Sequence, residues 1–442
     1  MYYSKRVFVK FYNRENELKA LQTIEKNSNT SSKMTIIIGR RRIGKTTLIK
    51  KVYPKKVYFF VSKKNETLLC EEFKMILEKS LNIKVLGEFK EFAKLFEYIM
   101  VLSQTQKFTL IIDEFQEFLY INSSIFSDIQ NIWDEYKDNS KLNLILSGSI
   151  YSLMKKIFED RKEPLFGRSD KKIVLKPFSI FTLKQILEEN YPNFTNKDLL
   201  SFYIFTGGVA KYVEIFVDNQ AFTFETQLDL IFEENSIFLD EGKNILIEEF
   251  GKEYGTYFSI LSLISSGKTS RTEIESVLEK TIGGYLDRLE NDFMLIKKIK
   301  PIFAKEGSRK VKYEIIDNFF NFWFRFIYKY KSAIEIENYE FVKEIVKRDF
   351  SVYSGKFLEK YFVEKFKLSK EFSNIGNYWE KANQNEIDIV AINEFEKRLV
   401  FAEVKLNKNK IDLEILKQKS QKIVDKFKNY KIEYKALSLE EM

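Results

Sequence analysis

The 442-residue sequence contains no histidine and one cysteine, Cys70. Without histidine there is no His-based nucleophilic triad, no His-metal site and no imidazole general base. Any chemistry must run on carboxylates, lysine, arginine and hydroxyls. A single cysteine excludes an intrachain disulfide and thiolate zinc clusters. The longest aromatic run, Phe319-Phe320-Asn321-Phe322-Trp323-Phe324-Arg325-Phe326, is too short and too polar to span a bilayer and reads as core or inter-domain packing. The opening residues, MYYSKRVFVKFYNRE, carry no apolar h-region, so neither secretion nor membrane attachment is expected and the composition fits a cytoplasmic protein.

What is present suffices for packed interiors. Hydrophobic residues make up 44%, with 42 Phe and 24 Tyr, in a chain long enough for two or three domains. The net charge of +9 admits nucleic-acid partners without requiring them, because lysine-rich composition with abundant Ile, Phe and Asn also follows from an AT-rich genome.

The β-branched run Thr35-Ile36-Ile37-Ile38 reads as a buried strand that breaks at Gly39. It leads through Gly39-Arg40-Arg41-Arg42-Ile43-Gly44-Lys45-Thr46-Thr47 into a helical segment, which is the G-x-x-x-x-G-K-[ST] phosphate loop in its required strand–helix setting. The glycines allow close backbone approach, and the loop amides with the helix N-terminus face anionic phosphate. Lys45 is expected to reach the β- and γ-phosphates, and Thr46 to offer its hydroxyl to Mg²⁺. Upstream, Leu18, Leu21 and Ile24 lie near helical spacing. Asn13 is the expected N-cap, Glu15 and Glu17 fill the first turn, and this helix is expected to border the adenine pocket.

Downstream, Val57–Val61 reads as a strand, followed by helices over Glu66–Leu81 and Phe89–Thr105. Phe108-Thr109-Leu110-Ile111-Ile112-Asp113-Glu114 is an apolar strand ending in two carboxylates. At such a tip Asp113 can hold Mg²⁺ and Glu114 can deprotonate the attacking water. A helix near Ile125–Tyr136 leads to the strand Leu142–Leu146 and to Ser147-Gly148-Ser149. Ser147 and Ser149 are candidates to sense the γ-phosphate, though Ser-Gly-Ser is also ordinary turn chemistry. Arg168, in Pro164-Leu165-Phe166-Gly167-Arg168, is a candidate arginine finger or sensor, in cis or from a neighbouring subunit. With the strand Lys172–Leu175 this gives five strands alternating with helices, an α/β parallel sheet.

The second half reads differently. Helices over Tyr254–Ser265, Arg271–Leu278 and Ile282–Asn291 precede two strands, around Phe293–Lys297 and Lys312–Asp317, the pattern of a winged helix-turn-helix. Lys297, Lys298, Lys300, Lys305, Arg309, Lys310 and Lys312 form a basic cluster on the wing that suits phosphate contacts. Beyond Phe341, a helix carries Glu359, and two strands carry Asp388 and Glu403-Val404-Lys405. Period two puts Glu403 and Lys405 on one face. Asp…Glu-x-Lys across adjacent strands is a metal-nuclease arrangement, with Asp388 and Glu403 on Mg²⁺, Lys405 positioning water or stabilising charge, and Glu359 as a further ligand. A helix over Glu414–Phe427, with Lys417 and Gln418, and a strand over Lys431–Leu437 close an αβββαβ unit.

The domain reading is a P-loop ATPase core over 1–180, a helical lid or linker over 181–249, the winged helix-turn-helix over 250–330 and the nuclease-like α/β domain over 341–442. In Arg14-Glu15-Asn16-Glu17-Leu18, the triple-arginine phosphate loop, Ile112-Asp113-Glu114-Phe115, Ser147-Gly148-Ser149 and Pro164–Arg168, the chain resembles the archaeal-type ATPases among the AAA/STAND-like P-loop proteins. Many of these end in a winged helix and a restriction-endonuclease-like domain of the PD-(D/E)xK type. Tyr313–Phe320, Phe322-Trp323, Glu386-Ile387-Asp388 and Glu403-Val404-Lys405 match that ending, although Asn385-Glu386-Ile387-Asp388 lacks the Pro-Asp of the motif. The resemblance implies ATP rather than GTP. The expected function is an Mg-ATP-dependent ATPase whose nucleotide state controls a DNA-directed, metal-dependent nuclease region. The alternative is an ATP-dependent switch or scaffold with an inert nuclease fold. Expected partners are ATP, DNA, and a second copy of the chain or a partner protein.

Overall fold

The computed structural model describes residues 11–305, 307–308, 310–380 and 384–442. These fall into two compact units, one of residues 11–177 with 209–211 and the other of 178–208 with 212–442.

The first unit is built on five parallel strands: β1 (Lys33–Ile38), β2 (Val57–Phe60), β3 (Phe108–Asp113), β4 (Leu142–Gly148) and β5 (Lys171–Val174). Their order in the sheet is β2-β3-β4-β1-β5. The apolar runs read from the sequence become strands buried on both faces, as a parallel sheet covered by helices requires. Alternation divides them. Ile36, Ile38, Leu110, Ile112, Leu144 and Leu146 enter one core, while Ile37, Ile111 and Ile145 enter the core on the opposite face. Register Ile38↔Gly148 and Phe60↔Asp113 brings the ends of β1, β4, β2 and β3 to one edge. The helix before the loop spans Glu15–Asn27, but its cap corrects the sequence reading. Asn13 lies at φ 45°, Arg14 occupies the N-cap without a side-chain capping bond, and the Arg14 guanidinium instead donates to the Lys176 carbonyl at 2.7 Å.

In the second unit, helices Asn196–Thr206, Ile237–Phe250 and Tyr254–Ser265 pack against the aromatic run, whose rings are buried, and helices Ile180–Asn190 and Phe224–Ile231 pack on the first of these. Residues Asn318–Phe322 form an α-helix that passes into a π-helical stretch, Trp323–Tyr328. The Trp323 indole donates to the Leu239 carbonyl at 3.0 Å and packs where a side chain at Gly242 would stand. Helices Tyr254–Ser265, Arg271–Leu278 and Gly283–Asn291 precede an antiparallel ribbon of β6 (Ile296–Ile299) and β7 (Lys312–Ile315). A capping box of Ser270 and Glu273 starts the second of these helices.

The helix expected around Glu359 is 31 residues long, Tyr339–Ser369. It leads into β8 (Asn374–Tyr378), β9 (Ile387–Asn393), β10 (Arg398–Lys405) and β11 (Lys431–Ser438), ordered β11-β10-β9-β8. β8, β9 and β10 pair antiparallel; β10 and β11 pair parallel, joined by the crossover helix Leu413–Val424. Val390, Ile392, Leu399, Phe401, Leu416 and Ile423 form the core beneath this sheet. Among the described residues no helix is long and apolar enough to cross a membrane.

Candidate functional site

At the carboxyl edge of the first sheet, β1 ends and the chain turns through Gly39–Gly44. A Cβ at Gly39 would stand 2.9 Å from the Ile43 side chain and 3.1 Å from Leu175 Cβ, so the turn closes only without a side chain. Gly44 has φ 97°, a left-handed conformation natural to glycine, and the helix Lys45–Val52 starts directly after it. Lys45 folds back over the loop, donating to the Gly39 carbonyl at 2.7 Å and the Arg40 carbonyl at 3.3 Å. Burial lowers the Lys45 pKa, opposed by the nearby Glu114 and Asp113 carboxylates. Arg40, Arg41, Arg42, Ile43, Thr46 and Thr47 complete the loop and the first helical turn, with Arg42 at φ 68°.

Asp113 ends β3 beside the loop. One oxygen, Oδ2, accepts from the Thr46 hydroxyl at 3.3 Å and from the Tyr58 hydroxyl at 2.5 Å. The other accepts the Glu114 N–H at 3.1 Å. From sequence Tyr58 is a strand residue with no assigned role. Its only signal there is a phenol in an otherwise aliphatic and phenylalanine-rich strand. Burial, then the adjacent Asp113, raises the Tyr58 pKa, so its hydroxyl remains a donor. Glu114 follows in a left-handed turn (φ 53°), and its Oε2 accepts from Gln116 Nε2 at 2.6 Å, Ser149 Oγ at 2.7 Å and the Ser149 N–H at 3.3 Å. Of the two serines read as sensors, Ser149 therefore touches Glu114, while Ser147 is fully buried and its hydroxyl has no hydrogen-bond partner among the described residues. Thr46 and Asp113 meeting at one oxygen suit Mg²⁺, which commonly takes one or two protein oxygens and completes its shell with water and substrate phosphates.

Arg168, the candidate arginine finger or sensor, is engaged within its own unit. Its guanidinium donates to Asp134 at 2.8 and 3.0 Å and to the Pro164 and Phe166 carbonyls at 2.6 and 3.2 Å, so it braces its own loop. Reaching a phosphate would break this set.

A second constellation lies on the sheet of the other unit. Asp388 Oδ2 accepts the Val404 N–H at 2.8 Å and Lys405 Nζ at 3.2 Å, and Lys405 also pairs with Glu403 at 2.9 Å. Lys419, from the crossover helix, reaches Glu403 at 3.3 Å. The sequence reading named Lys417 and Gln418 in this helix. Lys417 pairs with Glu414 at 2.6 Å; the two positions between Lys417 and Lys419 turn a side chain by roughly 200° around a helix. Burial raises the Asp388 pKa, and burial with Asp388 pushes Glu359 up to about 8. For Lys405, burial acts downward but Asp388 and Glu403 outweigh it and raise the pKa. Among the described residues no group of three or more Asp, Glu, His or Cys side chains is placed to hold a metal ion. Of the expected set, Asp388 and Glu403 are brought together at Lys405, and Glu359 lies close enough to feel the Asp388 charge. The Lys405 ammonium lies against two of these carboxylates and supplies the positive charge a cation would supply.

The basic ribbon is also altered by its surroundings. Lys297 pairs with Glu314 at 3.3 Å, Lys298 with Glu290, and Lys312 with Glu386 at 2.8 Å while lying 4.6 Å from the Trp379 ring centre. The loop between β6 and β7 packs on the C-terminal sheet: the Ile302 N–H donates to the Asn377 carbonyl at 2.7 Å, and the Phe303 and Phe427 rings are 5.2 Å apart. Three of the lysines expected to face phosphate are thus paired within the chain; Arg309 lies outside the described residues.

The phosphate loop at the edge of a β2-β3-β4-β1-β5 parallel sheet makes this a P-loop ATPase fold. Residues 11–216 match an ATPase domain predominantly from Archaea, and residues 323–424 match a family described as "Archaea bacterial proteins of unknown function". The chain is 31% identical over 407 residues to protein MJECL04 of Methanocaldococcus jannaschii, covering 89% of this chain and 87% of that one. It belongs to this archaeal-type P-loop ATPase family. The Walker-type ATPase of Pyrococcus abyssi superposes with a TM-score of 0.53 over 71% of this chain and 96% of that chain, at 16% identity, a likeness of fold alone.

Proposed function

We propose that the chain binds and hydrolyses Mg-ATP at the Gly39–Thr47 loop and that nucleotide state controls a winged-helix and nuclease-like region acting on DNA. The observation that carries the first part is the meeting of Lys45, Thr46, Asp113 and Glu114 at one sheet edge. On nucleotide binding, Lys45 would exchange the Gly39 and Arg40 carbonyls for the β- and γ-phosphates. Bound Mg²⁺ would neutralise phosphate charge, held by the Thr46 hydroxyl and Asp113. Glu114 would take the proton of the attacking water. Arg168, in cis or from a neighbouring subunit, would exchange its Asp134 and carbonyl contacts for the γ-phosphate.

For the second half, the αβββαβ order around Asp388, Glu403 and Lys405 supports the nuclease-like reading, and the three helices with their ribbon support the winged helix. Asp388 and Glu403, with Glu359 as a further carboxylate, would hold a divalent ion that supplies Lewis acidity for cleavage, and Lys405 would turn to the developing charge. One observation favours the other reading, a switch with an inert nuclease fold: Lys405 already bridges both carboxylates. Incubating DNA with Mg²⁺ or Mn²⁺, with and without ATP, separates the two. Metal-dependent cleavage lost in Asp388→Ala and Lys405→Ala supports the nuclease; cleavage that survives both, or none in wild type, removes it. For the ATPase, Glu114→Gln should bind ATP but not turn it over, and unchanged hydrolysis would remove Glu114 from its role.

A further inference from the structure

Three donors converge on a single oxygen of Glu114. Gln116 Nε2 lies 2.6 Å from Oε2, Ser149 Oγ 2.7 Å and the Ser149 N–H 3.3 Å. None of these donors is assigned to Oε1. The backbone adds to this restraint. Glu114 sits at φ 53°, which non-glycine residues adopt infrequently, and the Glu117 N–H closes the turn onto the Glu114 carbonyl at 2.9 Å.

The Gln116 side chain is only 1% exposed, and its Oε1 has no hydrogen-bond partner among the described residues. It lies in the space beside Gly148, where a Cβ would come within 2.5 Å of it. An apolar side chain of the same length would fill this space without an orphaned acceptor. The amide is therefore poorly explained by packing and well explained by its one donor bond, to Glu114. Gly148 is the residue between Ser147 and Ser149, so the glycine that admits Gln116 also positions the second clamp residue.

We propose that Gln116 and Ser149 are positioning residues for ATP hydrolysis: they immobilise Glu114 through Oε2 and leave Oε1 to meet the attacking water. This rests on the reading of Glu114 as the base. In the step itself the water oxygen bonds to the γ-phosphorus and the bond from that phosphorus to the bridging oxygen of ADP breaks. The bridging oxygen keeps the electron pair, and the water proton passes to Glu114. Lys45, Arg41, Asp113 and Tyr58 are ionisable groups in the same neighbourhood. Gln116 and Ser149 hold Glu114 Oε2 itself and so set the direction of the carboxylate.

The test uses the full chain with Mg-ATP, comparing turnover, KM, ATP affinity and thermal midpoint for Gln116→Met, Ser149→Ala and Ser149→Thr. Each is also combined with Glu114→Gln. Gln116→Met and Ser149→Ala should each lower kcat by about 10- to 100-fold, with KM, ATP affinity and thermal midpoint near wild type. Ser149→Thr, which keeps a hydroxyl, should recover most of the rate. On the Glu114→Gln background, Gln116→Met should lower the single-turnover rate no further, because a positioning residue has nothing left to position. A wild-type kcat in both Gln116→Met and Ser149→Ala overturns the proposal, as does a loss that adds in full to that of Glu114→Gln. Should Gln116→Met fail to fold, the partly exposed Ser149 decides the matter alone. If Glu114→Gln hydrolyses ATP at the wild-type rate, the reading of the base fails. If Glu114→Gln is inactive and the clamp variants are normal, only the clamp fails.

Discussion

Replacing Lys356 with methionine should stabilise the second unit at neutral pH, and the gain should fade as the solution becomes alkaline. Lys356 lies in helix Tyr339–Ser369, with its ammonium 2.8 Å from Asn321 Oδ1 and over the Tyr353 and Phe357 rings at 4.8 and 5.1 Å. Burial, then the neighbouring Lys360, pushes its pKa down from 10.5 to about 7. At ~1.36 kcal/mol per pH unit this interval sets a ceiling of roughly 5 kcal/mol, and partial exposure of the side chain screens it to about 1–2 kcal/mol. Because the folded pKa is depressed, the unfolded chain holds the proton between about pH 7 and 10.5 while the folded chain does not. The wild-type contribution is therefore complete above 10.5 and is lost as the pH falls to about 7. Methionine keeps the apolar stem and does not titrate, and Asn321 is not orphaned because the Tyr353 hydroxyl still donates to it at 3.1 Å. Urea unfolding of both proteins, followed by pulsed hydrogen exchange in peptides of this helix, should show Lys356→Met ahead by about 1–2 kcal/mol at pH 7 and level near pH 10. A gap that stays constant with pH, or widens, would refute the reasoning.

Two further substitutions probe the nucleotide site. Tyr58→Phe removes the shortest bond to Asp113; the Mg²⁺ concentration for half-maximal hydrolysis should rise by about 3- to 10-fold while metal-free nucleotide affinity stays level, and an unchanged Mg²⁺ titration would count against Tyr58 fixing Asp113. Gly148→Ala would drive a methyl into Met154 and Gln116, so a loss of about 1–3 kcal/mol in urea unfolding is expected, together with a drop in ATP turnover.

The features that were legible in the sequence are those set by local patterning. Ile36–Ile38 and Leu110–Ile112 had to be buried strands, and the glycine spacing with Lys45-Thr46 had to be a phosphate loop, because few other structures suit those residues. Tyr58 and Gln116 were missed because their roles depend on pairing across the chain. Tyr58 reaches Asp113 only through the register of β2 on β3, and Gln116 reaches Glu114 through a left-handed turn that no composition signal announces. Lys419 rather than Lys417 reaches Glu403 because two positions turn a side chain by roughly 200°, and only the packing of the helix on the sheet sets which of them faces it. Reading the ribbon lysines as phosphate ligands treated charge as free. Glu290, Glu314 and Glu386, distant in sequence from some of their partners, neutralise three of them.

Helix Tyr339–Ser369 has a consequence for how this chain can be divided. At ~1.5 Å per residue its 31 residues extend for roughly 46 Å. Its first half buries Val342, Val346 and Phe350 in the aromatic cluster, with the Phe350 ring 4.6 Å from Phe224; its second half buries Phe357, Leu358 and Phe362 and carries Glu359 toward Asp388. A fragment starting at residue 341 would inherit the whole carboxylate–lysine constellation on a rod whose leading half is a bare apolar stripe. Modularity stops at this helix: the C-terminal sheet can be inherited, transplanted or deleted only together with the aromatic bundle in which its longest helix is rooted.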